Sequence, residues 1–288
     1  MAGKLKYAVH AYSWTPQWNN DCLHLIQHVK ELGLDVIEVP FMDIELVDPK
    51  AIKAELEKHG VGVCASTALN EARDITSDDA EVRKAGLAYL KQCVKKLAAM
   101  GGDLFTGVIY SAIGRKIDAK PDEQHWNWAA ENLKETAKYA AGLGVRLGIE
   151  PVNRYETFLI NTGEQALRLR GLIDEPNVYV HLDAYHMNIE EADFYEPTKA
   201  CAHCLCHYHL SESHRGIPGE GLVDWEGIYR ALAEADYQGY VGLESFVEPA
   251  DSMRSATCVW RTLAPSSDVL VSEGFKYLKG LEEKYYGS

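Results

Sequence analysis

The sequence predicts an α/β protein built as a closed (β/α)8 barrel. Short β-branched runs alternate with longer amphipathic segments about eight times along 288 residues, a rhythm that calls for parallel strands joined by crossover helices. No linker or change of composition interrupts it, so residues 1–288 are expected to form a single barrel domain, and roughly 250 residues is the usual size of that unit. The turn after the first strand, His10-Ala-Tyr-Ser-Trp-Thr-Pro-Gln-Trp18, lacks the G-x-G-x-x-G of a dinucleotide-binding open sheet, and there is no P-loop.

The first strand is read as Tyr7 to Tyr12, followed by a helix ending near Leu32-Gly33. Asp35 to Val39 is the second strand, and Pro49 to His59 has helical spacing that stops at Gly60. Val61 to Ser66 is the third strand; a helix opens at Ser77-Asp78-Asp79 and runs to Met100. Leu104 to Tyr110 and the helix Pro121 to Leu143 form the fourth unit. The second half continues with strand Val145 to Glu150, helix Thr162 to Ile173 and strand Asn177 to Asp183. A poorly periodic segment through Phe194 and Pro197 leads to strand Leu205 to Leu210. Helix Trp225 to Ala235, strand Tyr240 to Glu244 and a tail helix over Ser266 to Tyr285 complete the pattern.

The composition, 47% hydrophobic and 25% charged, is that of a globular protein and excludes disordered, collagenous and coiled-coil classes. Lys and Arg number 29 against 43 Asp and Glu, a net charge of −14 that repels phosphate backbones and anionic lipid. Nucleic-acid and membrane partners are therefore not expected. No run approaches the roughly 18 apolar residues of a membrane span, and the stretch MAGKLKYAVHAYSW lacks the apolar centre of a signal peptide. Seven cysteines, an odd number, argue against a disulfide framework and for a reducing cytoplasm.

In such a barrel, function collects at the C-terminal ends of the strands. The fifth strand ends in Glu150, the sixth in Asp183 and the eighth in Glu244, while the seventh carries His209 near its end. Taken singly, each acid is a loop start or helix cap and the histidine a polar core residue. Taken together, they would crowd negative charge at one mouth, which is costly without a counter-charge. A divalent cation relieves that cost. Three carboxylates and one imidazole form a hard, oxygen-rich set suited to one Mn²⁺ or Mg²⁺, with Co²⁺ as a further option and Zn²⁺ less natural. The run Cys201-Ala-His203-Cys204-Leu-Cys206-His207-Tyr-His209 has the look of a zinc cluster but lacks a second cysteine pair at finger spacing. Strand alternation puts His207 and His209 on one face and Cys206 and Tyr208 on the other, leaving the cysteines as packing residues. G-x-S-x-G is absent, which counts against acyl transfer.

These motifs resemble those of the ketose 3-epimerases, the D-tagatose 3-epimerase and D-psicose (D-allulose) 3-epimerase group within the xylose-isomerase-like TIM barrels. The likeness is carried by Gly148-Ile-Glu150-Pro-Val-Asn-Arg-Tyr-Glu156, His181-Leu-Asp183-Ala-Tyr-His186-Met-Asn-Ile-Glu-Glu, His209-Leu-Ser-Glu-Ser-His-Arg215-Gly and Glu244-Ser-Phe-Val. The resemblance implies an isomerase that inverts C3 of a free ketose, with a Mn²⁺-type ion on Glu150, Asp183, His209 and Glu244. It implies that Glu150 and Glu244 are opposed acid/bases around a cis-enediolate, and that Glu156, His186 and Arg215 hold the sugar near O1 and O2. His10, standing where the family often has an aromatic residue, Ser66 and Gly107 complete the expected substrate-binding set, with Trp14 further along the first loop. A Trp common in some relatives after the fourth strand is not evident in Val108-Ile-Tyr110-Ser-Ala-Ile113. The expected partners are a small ketose and further copies of the chain, in a homodimer or homotetramer.

An aldose–ketose isomerase of the same barrel group would use similar chemistry between C1 and C2, and a ketopentose such as L-ribulose is an alternative substrate. Glu220, in Pro218-Gly-Glu220-Gly-Leu, weighs against a sugar phosphate. A barrel endonuclease would need more ligands and a basic groove. A non-catalytic sugar binder would not need two opposed carboxylates at one ion.

Overall fold

The computed structural model describes residues 5–287; Met1 to Lys4, the start of the stretch read for a leader, and Ser288 lie outside the described residues. The chain alternates as predicted through β1 (Lys6–His10), α1 (His24–Glu31), β2 (Val36–Pro40), α2 (Pro49–His59), β3 (Gly62–Leu69), α3 (Ala80–Met100), β4 (Leu104–Ala112) and α4 (Glu123–Ala141). It continues with β5 (Arg146–Ile149), α5 (Gly163–Ile173), β6 (Val178–Asp183), α6 (Ala184–Glu190), α7 (Tyr195–Cys201), β7 (Leu205–His209), α8 (Trp225–Glu234), β8 (Tyr240–Leu243), α9 (Asp251–Thr257) and α10 (Ser267–Tyr286). Each strand pairs in parallel with its sequence neighbours, and β8 pairs with β1, closing the barrel.

The caps explain where the helices start. Asp48 accepts from the amides of Lys50 and Ala51 ahead of Pro49, Asp79 and Asp122 cap α3 and α4, and Thr162 with Gln165 forms a capping box on α5. Gly60 ends α2 in the left-handed region at φ 65°, as its place after the last periodic residue predicts. The apolar stripes face the barrel. On α8, Trp225, Ile228, Tyr229 and Leu232 repeat at helical spacing and are all buried. Each fully buried side chain of this kind contributes about 1.5–3 kcal/mol.

Inside the barrel, Ala8, Val36, Cys64, Leu104 and Cys206 form an apolar plug near the N-terminal ends of the strands. Two residues further along β1, β2, β3 and β4 stand His10, Glu38, Ser66 and Thr106, all buried and polar. The interior thus changes from apolar to polar along the barrel axis, and the polar end carries the site.

The structure differs from the sequence reading in four places. β1 ends at His10 because Ala11–Ser13 forms a 3₁₀ turn, with the amide of Tyr12 donating to Nδ1 of His10 at 3.2 Å. Strict alternation fails on β7: the register between β6 and β7 shifts at Val180/His181, and Cys206 joins the interior plug instead of facing away from His207. Tyr208 does point outward, to Thr198 and Met187. The aperiodic segment holds two short helices, α6 and α7, and α9 is a further unanticipated one, seven residues long with no side-chain cap. Among the described residues, no helix is long and apolar enough to cross a membrane.

Candidate active site

Glu150 directly follows β5, Asp183 and His209 end β6 and β7, and Glu244 directly follows β8. One ligand atom from each of the four lies within 4.8 Å of those of the other three. Nδ1 of His209 stands 3.3 Å from Oε2 of Glu244, 3.7 Å from Oε1 of Glu150 and 3.8 Å from Oδ2 of Asp183. It is buried and has no hydrogen-bond partner. Asp183 satisfies both readings of a strand-end acid at once: Oδ1 accepts the amide of Tyr185 at 2.7 Å and caps α6, while Oδ2 faces the cluster. An orphaned imidazole nitrogen among three carboxylates is a donor set that fits a hard divalent cation. Cys201, Cys204 and Cys206 take part in no such grouping among the described residues; Sγ of Cys206 donates to the carbonyl of Val180.

The electrostatics show how tightly these groups are coupled. Burial pushes the carboxyl of Glu150 up, against the opposing pull of His209. Burial acts the same way on Asp183 and Glu244 and is the largest single influence on each, but Arg215 together with His186 and His209 at Asp183, and with His209 and His10 at Glu244, holds both below the usual carboxylate range. Burial lowers His209, yet Glu38 and Glu244 raise it well above its ordinary value.

Arg215 reaches the cluster from the loop after β7, where its amide donates to the carbonyl of Glu212 at 2.8 Å and its backbone is left-handed, at φ 62°. That conformation costs a non-glycine residue on the order of 1 kcal/mol. The side chain offsets it: Nη1 donates at 2.9 Å to Oδ2 of Asp183, Oε2 of Glu244 and Oγ of Ser211. The guanidinium also stacks 4.1 Å above the ring of Tyr185.

His186, on α6, is oriented through its far nitrogen. The backbone amide of Asn153 donates to Nδ1 at 3.1 Å, so Nδ1 is the acceptor and Nε2 carries the proton in the neutral ring. The 3.3 Å approach of Arg215 Nη2 to Nε2 is then a contact between two donors. Glu156 accepts from Nδ2 of Asn153 at 2.8 Å and lies 4.0 Å from Nδ1 of His186. His10 follows the same logic: Nδ1 accepts from Tyr12, and Nε2 donates to Oγ of Ser66 at 3.0 Å. Gly107 has φ 112°, and an added Cβ would fall 2.2 Å from the carbonyl oxygen of Thr67. Glycine is required there by both conformation and space.

Above the cluster opens a cavity of ≈ 430 Å³, a volume suited to a small ligand. Every residue expected at the site lines it except Asp183, which lies beneath. Met42, Ile113, Val152, Phe246 and Met253 contribute apolar lining, alongside the polar side chains of Tyr12, Gln17 and Thr257. Trp14 is not part of it; its Nε1 donates to Asp268 at 2.8 Å and its ring packs against His28.

Sequence reasoning missed Glu38, Asn153, Tyr185 and Ser211. Glu38 was accessible by the signal used elsewhere, an acid within an apolar strand run, Asp35-Val-Ile-Glu38-Val. It is fully buried, and its Oε2 accepts from Nε2 of both His207 and His209, at 2.8 and 2.9 Å. Burial would raise its carboxyl, but His209, His207 and His10 together hold it well below the ordinary range. Asn153 and Ser211 act through contacts that no local pattern announces.

Residues 26–265 match the model of the xylose isomerase-like TIM barrel family. A ketose 3-epimerase of Arthrobacter globiformis is 35% identical over 278 residues, 96% of each chain. An L-ribulose 3-epimerase of a Methylomonas species is 34% identical, covering 96% of this chain and 97% of the relative. The crystal structure of D-allulose 3-epimerase from Methylomonas sp. in complex with D-allulose superposes with a TM-score of 0.92 at 33% identity, over 96% of this chain and 97% of that one. The chain therefore belongs to the xylose isomerase-like TIM barrel family, in its ketose 3-epimerase group, and is a carbohydrate epimerase.

Proposed function

We propose that the protein inverts C3 of free ketoses, interconverting pairs of the D-fructose/D-psicose and D-tagatose/D-sorbose type, with the ketopentose L-ribulose as an alternative substrate. The observation that carries the reading is the convergence of Glu150, Asp183, His209 and Glu244 beneath a cavity of sugar size. These four residues would hold one divalent cation, Mn²⁺ foremost with Mg²⁺ or Co²⁺ as alternatives, which as a Lewis acid would stabilise negative charge developing on the ketose oxygens.

The C2 carbonyl of a ketose acidifies the hydrogen on C3. Inversion requires that proton to leave one face and a proton to arrive at the other. Glu150 and Glu244 come from β5 and β8, separated by β6 and β7, which supports placing one carboxylate on each side of C3. One takes the C3 proton, leaving a cis-enediolate of the sugar, and the other returns a proton to the opposite face. Nε2–H of His186 and the guanidinium of Arg215 are donors for O2, and Glu156 is an acceptor for the O1 hydroxyl. His10, Ser66 and Gly107 border the rest of the sugar. The reading includes a single domain, assembly as a homodimer or homotetramer, and a reducing, cytoplasmic setting consistent with the exposed free thiol of Cys258.

The test is turnover of D-fructose, D-psicose, D-tagatose and L-ribulose in D₂O by metal-stripped protein, before and after addition of Mn²⁺. Deuterium at C3 of both epimers, appearing only with the metal, is expected. An aldose product labelled at C1 or C2 would establish an isomerase instead, and full activity in the stripped protein would remove the cation from the scheme.

A further inference from the structure

The barrel interior holds a carboxylate that no proposed step uses. Glu38, on β2, is fully buried below the cluster. Its Oε2 receives two imidazole N–H groups, from Nε2 of His209 at 2.9 Å and from Nε2 of His207 at 2.8 Å. A neutral imidazole has one N–H and one lone pair, so a ring that donates through Nε2 must present its lone pair at Nδ1. For His209, Nδ1 is the partnerless atom facing Glu150, Asp183 and Glu244. The bond to Glu38 therefore selects both the tautomer and the ring orientation that a cation ligand requires.

Glu38 is itself held in place. His207 shares its oxygen from the same strand as His209, and the two ring centroids lie 4.7 Å apart. Both imidazoles pack over the bare backbone of Gly242, where an added Cβ would fall 2.8 Å from Cε1 of His207 and 3.4 Å from Cδ2 of His209. The remaining oxygen, Oε1, has no hydrogen-bond partner and lies 3.7 Å from Nε2 of His10. The arrangement is a carboxylate–histidine pair aimed at the place where the other three ligand groups meet.

We propose that Glu38 is a positioning residue for cation binding, acting through His209 by fixing which imidazole nitrogen is bare and where it points. It touches neither the substrate nor the ion. The inference rests on the reading that the four-residue cluster takes a divalent cation. The competing account is a purely structural role, in which Glu38 ties β2 to β7 and its loss lowers stability alone. The two accounts differ in what they predict for binding of the metal by itself.

The experiment titrates MnCl₂ into metal-stripped wild type, Glu38→Gln and Glu38→Ala, reading free Mn²⁺ by electron paramagnetic resonance, with circular dichroism and melting curves to confirm folding. Loss of a partner of this kind weakens metal affinity by about 10- to 100-fold. We expect the upper part of that range for Glu38→Ala and the lower part for Glu38→Gln, which keeps an acceptor oxygen but not the charge. A folded Glu38→Gln variant that binds Mn²⁺ within twofold of wild type, even with a lowered melting temperature, overturns the inference in favour of the structural role. A second readout needs no variant at Glu38. In ¹⁵N-histidine spectra of the Mg²⁺-loaded wild type, assigned against His209→Gln, His209 should be protonated at Nε2 and bare at Nδ1, and the opposite tautomer overturns the inference. Failure of wild type to bind either metal defeats the cation reading itself, whereas wild-type binding left intact in the Glu38 variants defeats only the role given to Glu38.

Discussion

Nη1 of Arg215 lies 2.9 Å from Oε2 of Glu244. The same nitrogen bridges to Asp183 at 2.9 Å, so one guanidinium offsets the charge of two clustered carboxylates. Replacing it separates two functions. Arg215→Met should lower the stability of the metal-free protein by about 3–5 kcal/mol, because charge is left buried without its partner. It should lower kcat by about 100-fold through loss of a donor at developing negative charge. Mn²⁺ affinity should hold or tighten, since a repelling charge is gone. Calorimetric melting, steady-state kinetics and metal titration on one variant check all three, and an unchanged kcat would remove Arg215 from the reaction.

Glu150 and Glu244 are predicted to be mutually indispensable. Each single change to Gln should cost about 10²- to 10⁴-fold in turnover, the usual contribution of a positioned acid or base. In each variant deuterium should enter C3 only of the epimer whose C3 proton the remaining carboxylate faces, the two variants favouring opposite epimers, read by NMR of the recovered sugar. Equal exchange of both epimers in either variant would reject the two-base scheme.

Gly107 and Gly60 both have positive φ, at 112° and 65°, but only one is crowded. An alanine Cβ at 107 would lie 2.2 Å from the carbonyl oxygen of Thr67, while at 60 nothing stands within 4 Å. Gly60→Ala should therefore cost about 1 kcal/mol, the conformational penalty alone. Gly107→Ala should cost about 3 kcal/mol or more, because β3 and β4 must also separate. Urea denaturation of the pair measures the difference, and equal costs would show that the close approach of the two strands is unimportant.

Glu212 should make stability depend on acid pH. It accepts the amides of Ser213, Gly219 and Val223 at 2.8, 3.0 and 3.2 Å and Nε1 of Trp225 at 2.9 Å. Burial works to raise its carboxyl, but these bonds win and lower it. A folded value below the unfolded one means stabilisation that is complete above about pH 4.3, the unfolded value, and lost as pH falls through the folded one. Glu212→Gln should be about 2 kcal/mol less stable at pH 7, with the gap narrowing below about pH 4. Urea midpoints for both proteins between pH 7 and pH 3 test this, and a constant gap would count against it.

Much of the fold was legible because its cues are local. Pro49–His59 was bounded by its helical spacing and the stop at Gly60, and the helix read over Thr162 to Ile173 is α5, with Thr162 as its cap. The four clustered residues at the strand ends were legible for a related reason: each is a polar residue closing an apolar run. Glu38 carries a similar mark on β2 and was passed over. α9 has neither a side-chain cap nor a strong apolar stripe and left no local trace. Cys206 was misplaced because the register shift beside it follows from how β6 and β7 pair, not from either strand alone.

By itself, then, the sequence determined the (β/α)8 rhythm, the strand ends and the chemical types gathered there, since period, caps and turn residues act over a few positions. Only the tertiary structure decided which atoms meet. His209 and Glu38 are 171 residues apart in the chain, and it is barrel closure that brings that imidazole N–H onto that oxygen. The two oxygens of Asp183 are likewise divided between a helix cap and the cluster by the packing around them. Backbone preference is local and can be read along the chain, whereas tautomer, ring orientation and charge pairing depend on neighbours that the chain supplies only when folded.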